Sequence, residues 1–258
     1  MNIFMQCIKS LYSPQDIAKF RFQGIGKTIL YIFFLVFLTS VVSYSYFAFQ
    51  MNKVVQEGME YIETEVPEFE VIDGELITDL TEPQIFYDEE AALQFIVDSN
   101  GEWTSRDVVA EEVDTIALLQ NEIIITSAGE VQTIDYTMIG NLTKADVLSF
   151  FDSIESLKVI FIPIIYLFYY LVAAAGTFIK ILIFSLIGLL FASILKRKLK
   201  YAQSFRITAY AITLPTFLFT LIGILPLTLP FGLLLNWIIT MTMLYLAIRS
   251  MPKPKSVE

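Results

Sequence analysis

Apolar residues dominate four stretches, residues 28–49, 159–195, 207–225 and 231–248, and each is almost free of charge. The first holds no charged residue and matches the roughly 20 residues of helix that cross the hydrocarbon core of a bilayer. It is longer than a signal-peptide core of roughly 7–15 residues. No small-residue cleavage site follows Tyr46-Phe47-Ala48-Phe49, so the stretch reads as an uncleaved span. The second is apolar for almost forty residues and is interrupted only by Lys180. One helix of that length, rising about 1.5 Å per residue, overshoots a bilayer. Two spans turning near residues 176–180 would each be short, so one long helix, its outer end packed on the segment before it, is the reading. Pro215 interrupts the third stretch, and Pro226 and Pro230 mark a tight turn before the fourth. The pattern predicts four crossings, or five if the second stretch folds back.

Residues 50–157 follow another period. Phe69-Glu70-Val71-Ile72 and Glu75-Leu76-Ile77-Thr78 flank Asp73-Gly74, a hairpin pattern. Residues 84–87, 93–97, 116–119, 122–126 and 131–136 read as further strands, with turns at Asp98-Ser99-Asn100-Gly101, Gln120-Asn121 and Ala128-Gly129. This predicts a small, mostly antiparallel β domain of six or seven strands. Val147, Leu148, Phe151 and Ile154 return to helical spacing after Thr143-Lys144-Ala145-Asp146, a capping-box pattern. Ahead of the first span, Ile3, Phe4, Ile8 and Leu11 share one helical face. Ser13-Pro14-Gln15-Asp16 then starts a second short helix with proline in its first turn, and Gly24 and Gly26 break it. With Lys9, Lys19 and Arg21 beside these apolar positions, the segment is expected to lie on the inner membrane surface.

Charge orients this plan. Of 27 acidic residues, 25 lie within residues 57–155. Between residues 50 and 157 only Lys53, Arg106 and Lys144 oppose them, a net of −22, while the remainder of the chain carries a net of +12. Loops rich in Lys and Arg stay in the cytoplasm and acidic ones tolerate export. The acidic segment is therefore expected outside, with both termini and the Lys196-Arg197-Lys198-Leu199-Lys200 run inside. The expected fold class is an α-helical integral membrane protein of four to five spans with an inserted, extracytoplasmic, mostly antiparallel β (α+β) domain. Its parts are a basic amphipathic segment at 1–27, a first span at 28–49, the acidic domain at 50–157, and a bundle at 158–248. The bundle contains a basic cytoplasmic loop at 196–206, and a cytoplasmic tail follows at 249–258.

Composition removes much chemistry. The chain has no histidine, which excludes His-based general bases, His-ligated zinc and a Ser-His-Asp triad. Cys7 is the single cysteine, so no intramolecular disulfide forms. Asp98, Asn100 and Glu102 alternate around Gly101, but a calcium loop needs a closing bidentate Glu, and Asp107 falls at the wrong place. The reading is a turn with a solvated acidic edge. Glu111-Glu112 and Asp88-Glu89-Glu90 read as exposed loops or helix starts, Trp103 as a cover on the β core, and Asn141 as part of a helix start. Lys180 is a charge inside a span, where charges are costly and paired or functional. Asn236 reads as an interhelical hydrogen bonder. No catalytic, cofactor-binding or metal-ligating residue is assigned, and no cofactor or nucleic-acid partner is expected.

Met1-Asn2-Ile3-Phe4, Ser10-Leu11-Tyr12-Ser13-Pro14 and Ile17-Ala18-Lys19-Phe20-Arg21, closing on Gly24-Ile25-Gly26-Lys27-Thr28, resemble a family of Gram-positive integral membrane proteins. It is domain-of-unknown-function family 1189. The resemblance runs the length of the chain and includes the Val-Asp-Ser-Asn-Gly turn at 97–101. Some members are labelled maltodextrin-utilisation proteins. Tyr201-Ala202-Gln203-Ser204-Phe205-Arg206, Ala209-Tyr210-Ala211 and Pro215 are also similar to the Yip1-type membrane fold, which implies five spans. The family brings no catalytic residues.

The expected function is a non-enzymatic accessory or assembly protein of the plasma membrane, linked through the resemblance to sugar (maltodextrin) uptake. Its expected partners are the lipid bilayer and another membrane protein. An extracytoplasmic sensor or ligand-binding protein, and a transporter subunit, are the alternatives. The charge split makes the topology testable. In a Cys7→Ser background, Ser99→Cys should react with an impermeant thiol reagent added to intact cells; labelling only after lysis would refute the orientation.

Overall fold

Two helices carry the longest apolar runs. α3 (Ile25–Thr64) has 40 residues and α6 (Lys144–Ile194) has 51. The computed structural model describes residues 1–88, 93–111, 113–127, 129–225 and 229–253. It divides into one unit of Met1–Gln50 with Ile160–Glu258 and a second of Met51–Val159. Among the described residues four helical runs are long and apolar enough to cross a membrane: Ile25–Thr64, Lys144–Ile194, Tyr201–Gly223 and Gly232–Arg249. The run after residue 159 does not fold back. Gly176 and Lys180 lie inside α6, as does Pro163, so the run is the single long helix and the alternative turn at 176–180 is absent. That removes the folding back of this run as a source of a fifth crossing.

In the first unit, α1 (Ile3–Tyr12) is capped by Asn2, whose Oδ1 accepts from Met5 N. Ser13 and Asp16 start α2 (Pro14–Lys19) as the capping pattern predicts, with Asp16 N donating to Ser13 Oγ at 3.3 Å. A 3-10 turn (Phe20–Phe22) follows. These pieces do not stand apart as a surface segment. They pack on α7 (Tyr201–Ala211), α8 (Thr213–Gly223) and α9 (Gly232–Arg249), burying Ile17, Ala18 and Phe20 in the same cluster as Tyr31, Ile181, Phe184, Tyr210 and Leu244. The physical reason is one of faces: α1 buries Gln6, Cys7 and Ser10 and leaves Phe4 and Ile8 exposed. Close packing in this unit needs small residues. A Cβ built on Gly188 would collide with Ser204 Oγ and touch Leu244 and Ile248. Ser204 Oγ in turn donates to Ser185 O at 2.7 Å.

The second unit opens with the last turns of α3, which continue through residues 51–64 where the sequence reading had placed the start of the β domain. Helix formers and the Lys53–Glu57 pair at i, i+4 carry the helix on until Pro67 ends the run. Strands β1 (Phe69–Ile72) and β2 (Glu75–Thr78) form the expected hairpin, with Asp73 and Gly74 at φ of 52° and 87°, the left-handed pair of a two-residue primed turn. The remaining strands are β3 (Gln84–Asp88), β4 (Leu93–Val97), β5 (Thr115–Leu118), β6 (Glu122–Ser127), β7 (Glu130–Asp135) and β8 (Leu142–Thr143). They build a three-stranded sheet, β2-β1-β8, and a five-stranded sheet, β3-β4-β5-β6-β7. The second sheet is mixed, because β4 and β5 are parallel. Parallel neighbours need a long crossover; residues 98–114, with α4 (Ser105–Ala110), supply it. A short α5 (Tyr136–Ile139) precedes β8. The expected turn residues Ala128 and Pro226, the acids Glu89, Glu90 and Glu112, and Lys255 lie outside the described residues.

One cation holds the ends of this unit together. Lys144, at the first turn of α6, is 6% exposed, and its Nζ donates to the carbonyls of Glu63 (3.1 Å) and Val66 (2.8 Å) at the end of α3. Glu68 lies 3.4 Å away on the exposed side. Those carbonyls are the acceptors a helix C-terminus leaves over, and a cation is the partner its dipole favours. Lys144→Met keeps the length of the side chain and removes the donors. It should destabilise the second unit by about 2–4 kcal/mol, read as a lower melting temperature of the β signal in detergent-solubilised full-length protein. An unchanged transition would show that Lys144 does not hold the unit.

Candidate functional site

The acidic turn is the first place to look for chemistry, and its geometry is that of a scaffold. Asp98 ends β4 and is 1% exposed, against the expectation of a solvated edge. Its Oδ1 accepts from Asn100 N (2.9 Å) and Gly101 N (3.1 Å), and its Oδ2 from Trp103 N (2.6 Å). A buried carboxylate costs free energy unless hydrogen-bonded; here three backbone donors of one turn serve it. Gly101 sits at φ 75°, and a Cβ there would strike Gln120 Oε1, so the turn requires glycine. Asn100 Nδ2 donates away from the turn, to Thr81 O at 2.9 Å. Trp103 packs on Ile96, Val108, Ala117, Leu119 and Ile124, as a cover on the β core.

The nearby acids also act on their own backbone. Asp107 Oδ2 accepts from Thr104 Oγ1 (2.6 Å) and Thr104 N (2.8 Å), closing a capping box on α4. The Thr104 hydroxyl and then its backbone N–H hold the Asp107 carboxyl below the ordinary carboxylate range. Thr137 does the same for Asp135 at the start of α5. Asp146 accepts from Thr143 N (2.9 Å) and Thr143 Oγ1 (2.7 Å) at the start of α6. Asn141 Oδ1 accepts from Asp73 N at 3.3 Å and so steadies the β1–β2 turn. Glu102 and Glu111 are exposed. Among the described residues no three His, Cys, Asp or Glu side chains converge as metal ligands.

The first unit contains a polar seam that the sequence did not announce. Tyr210 is fully buried, and its hydroxyl lies 2.9 Å from Oε1 of both Gln6 and Gln23. One phenolic proton serves one acceptor. Both amide oxygens lie within reach of it, and Gln6 is further held by its own donation from Nε2 to Met1 O at 3.1 Å. Thr213 Oγ1 donates to Tyr210 O (2.8 Å) and thereby accepts from the buried Tyr31 hydroxyl (2.6 Å). Arg206 Nη1 donates to Arg21 O at 3.0 Å. The seam joins α1, the residues just before α3, α3 itself through Tyr31, α7 and α8. Cys7 is buried beside it, and burial pushes its thiol pKa up, the reverse of an activated nucleophile.

Lys180 and Asn236, noted separately in the sequence, meet in the fold. Lys180 Nζ donates to Asn236 Oδ1 across α6 and α9 and lies 5.9 Å from the centroid of the Phe184 ring. Phe184 stands edge-on to Trp237 at 5.8 Å. Among the described residues no carboxylate pairs with Lys180.

A family model described as "Protein of unknown function (DUF1189)" matches residues 4–248. The chain belongs to the DUF1189 family. No curated protein and no solved structure matches it significantly. Within this DUF1189 chain the match takes in α1, both long helices, the acidic unit and nearly all of α9.

The Val97-Asp98-Ser99-Asn100-Gly101 turn was legible as a turn, but not the burial of its carboxylate. A single aspartate before Ser-Asn-Gly reads as solvated until its own turn folds three N–H groups onto it at the end of the parallel β4–β5 pair. Replacing Asp98 with Ala should therefore do more than remove a surface charge. It leaves three turn N–H groups without their acceptor and should cost about 2–4 kcal/mol. Denaturant unfolding of the full-length protein measures this, with Glu102→Ala as the exposed control expected to change little.

Proposed function

We propose that this DUF1189 chain is a non-enzymatic accessory or assembly protein of a Gram-positive cell membrane. In this reading it is multi-pass, with both termini in the cytoplasm and the acidic unit outside. The observation that carries the reading is the occupation of its acids. Asp98, Asp107, Asp135 and Asp146 each serve a turn or a helix start of their own chain. Their arrangement supports a rigid body for contact over a reaction centre. The apolar helices supply a second kind of contact surface, with Val159, Phe168, Leu186, Leu190, Leu233 and Ile238 among their exposed side chains. A third is the exposed Phe4 and Ile8 on α1, whose opposite face is anchored in the polar seam. Such a face suits the inner leaflet. The resemblance to proteins labelled for maltodextrin utilisation supports a role beside sugar uptake.

Cross-linking inside the membrane tests this. Photo-reactive residues at Leu186 and Leu233, in cells expressing the full chain, should each yield one discrete heteromeric adduct with a membrane protein, in near-stoichiometric amount. Phe4→Ser with Ile8→Ser should weaken that adduct while the spans remain inserted. Adducts with lipid alone, together with a thermal shift of the purified protein on adding a sugar or polymer, would favour the sensor reading instead.

A further inference from the structure

Lys180 is the one charge on α6 between Lys158 and Lys196. Along the helix it stands about 33 Å from the first and about 24 Å from the second. A lysine side chain does not bridge such distances, so neither Lys158 nor Lys196 shares the surroundings of Lys180. A cation in an apolar segment needs a partner, and the fold supplies half of one. Asn236 Oδ1 accepts one of the three ammonium protons. The remaining ammonium N–H groups and the NH2 of Asn236 have no partner among the described residues. All of them are donors, gathered at one point where α6 meets α9. Ile179, Ile183, Leu234, Trp237 and Ile238, which neighbour the pair on the two helices, are exposed and apolar.

A cluster of donors around one positive charge is complementary to a two-oxygen anion. We propose that Lys180 and Asn236 form a docking site for a carboxylate, Asp or Glu, carried within a membrane-spanning helix of a partner protein. The exposed apolar side chains around the pair would pack against that helix. A second copy of this chain does not fit the site. Its acids outside residues 57–155 are Asp16 and Glu258 alone, and residues 28–49, 159–195, 201–225 and 229–248 contain none. The partner is therefore a different protein. The inference rests on the accessory reading and names the chemistry of its contact.

The test uses full-length protein carrying a donor fluorophore at its carboxy terminus, in phosphatidylcholine vesicles. The probes are three acceptor-labelled membrane-spanning leucine–alanine peptides that differ only at a central Asp, Asn or Leu. Energy transfer should show the Asp peptide binding about tenfold more tightly than the Asn or Leu peptide. Lys180→Met should erase the preference and Lys180→Arg should retain it. Equal binding of the three peptides by the wild-type protein overturns the proposal without recourse to any variant. So does a preference for Asp that survives in Lys180→Met. Loss of the Asp preference on adding phosphatidylglycerol would make a lipid phosphate the occupant and also overturn it. Failure of the protein to float with the vesicles would overturn the membrane reading as well, whereas insertion without an Asp preference overturns this proposal alone.

Discussion

Lys144 is the contact on which the acidic unit depends. The chain arrives in that unit on the end of a helix and departs on the start of another, and both ends expose backbone groups that nothing in a regular helix can serve. Lys144 donates to two carbonyls at the end of α3 while forming the first turn of α6. Thr143 and Asp146 cap that first turn reciprocally, with Asp146 N donating to Thr143 Oγ1 at 3.1 Å. The two sheets are thus held at both chain ends by hydrogen bonds to otherwise orphaned groups. A cation also meets little resistance here: in a segment with a net charge of −22, the net long-range field favours it.

The same accounting explains the acids. Twenty-five carboxylates in residues 57–155 would repel one another if they were only surface charge. Several are instead used as acceptors for N–H and O–H groups in turns and at helix starts, where negative charge is favoured. Asp98 is the furthest developed case, since its turn surrounds the carboxylate with three N–H donors and shields it from water. A group held that way is a poor catalyst and a good brace.

In the other unit the apolar side chains are plentiful, and the specific arrangement comes from small and polar residues. Gly188 lets α6 approach Ser204, Leu244 and Ile248. Tyr210, Gln6, Gln23, Tyr31 and Thr213 satisfy one another at one seam. Because Gln6 and Ser10 of α1 are spent inward, Phe4 and Ile8 are left exposed. Lys180 and Asn236 are not closed in this way, since their remaining donors find no acceptor among the described residues.

Much of the plan follows from the sequence alone, because it rests on short-range physics. Apolar runs of sufficient length, the Asp73-Gly74 turn, the Ser13 and Thr143 capping patterns and the strand positions depend on period and local hydrogen bonding, which neighbouring residues determine. What the tertiary structure decided involves residues far apart in the chain. The parallel β4–β5 pair and the continuation of α3 past residue 50 could not be read from local period. Nor could the burial of Asp98, the reach of Lys144 across 78 positions to Val66, or the 56-residue separation bridged by Lys180 and Asn236. A side chain's charge and size are written in the sequence. Which backbone groups lack a partner, and so which side chain must serve them, is settled only when distant segments close over one another.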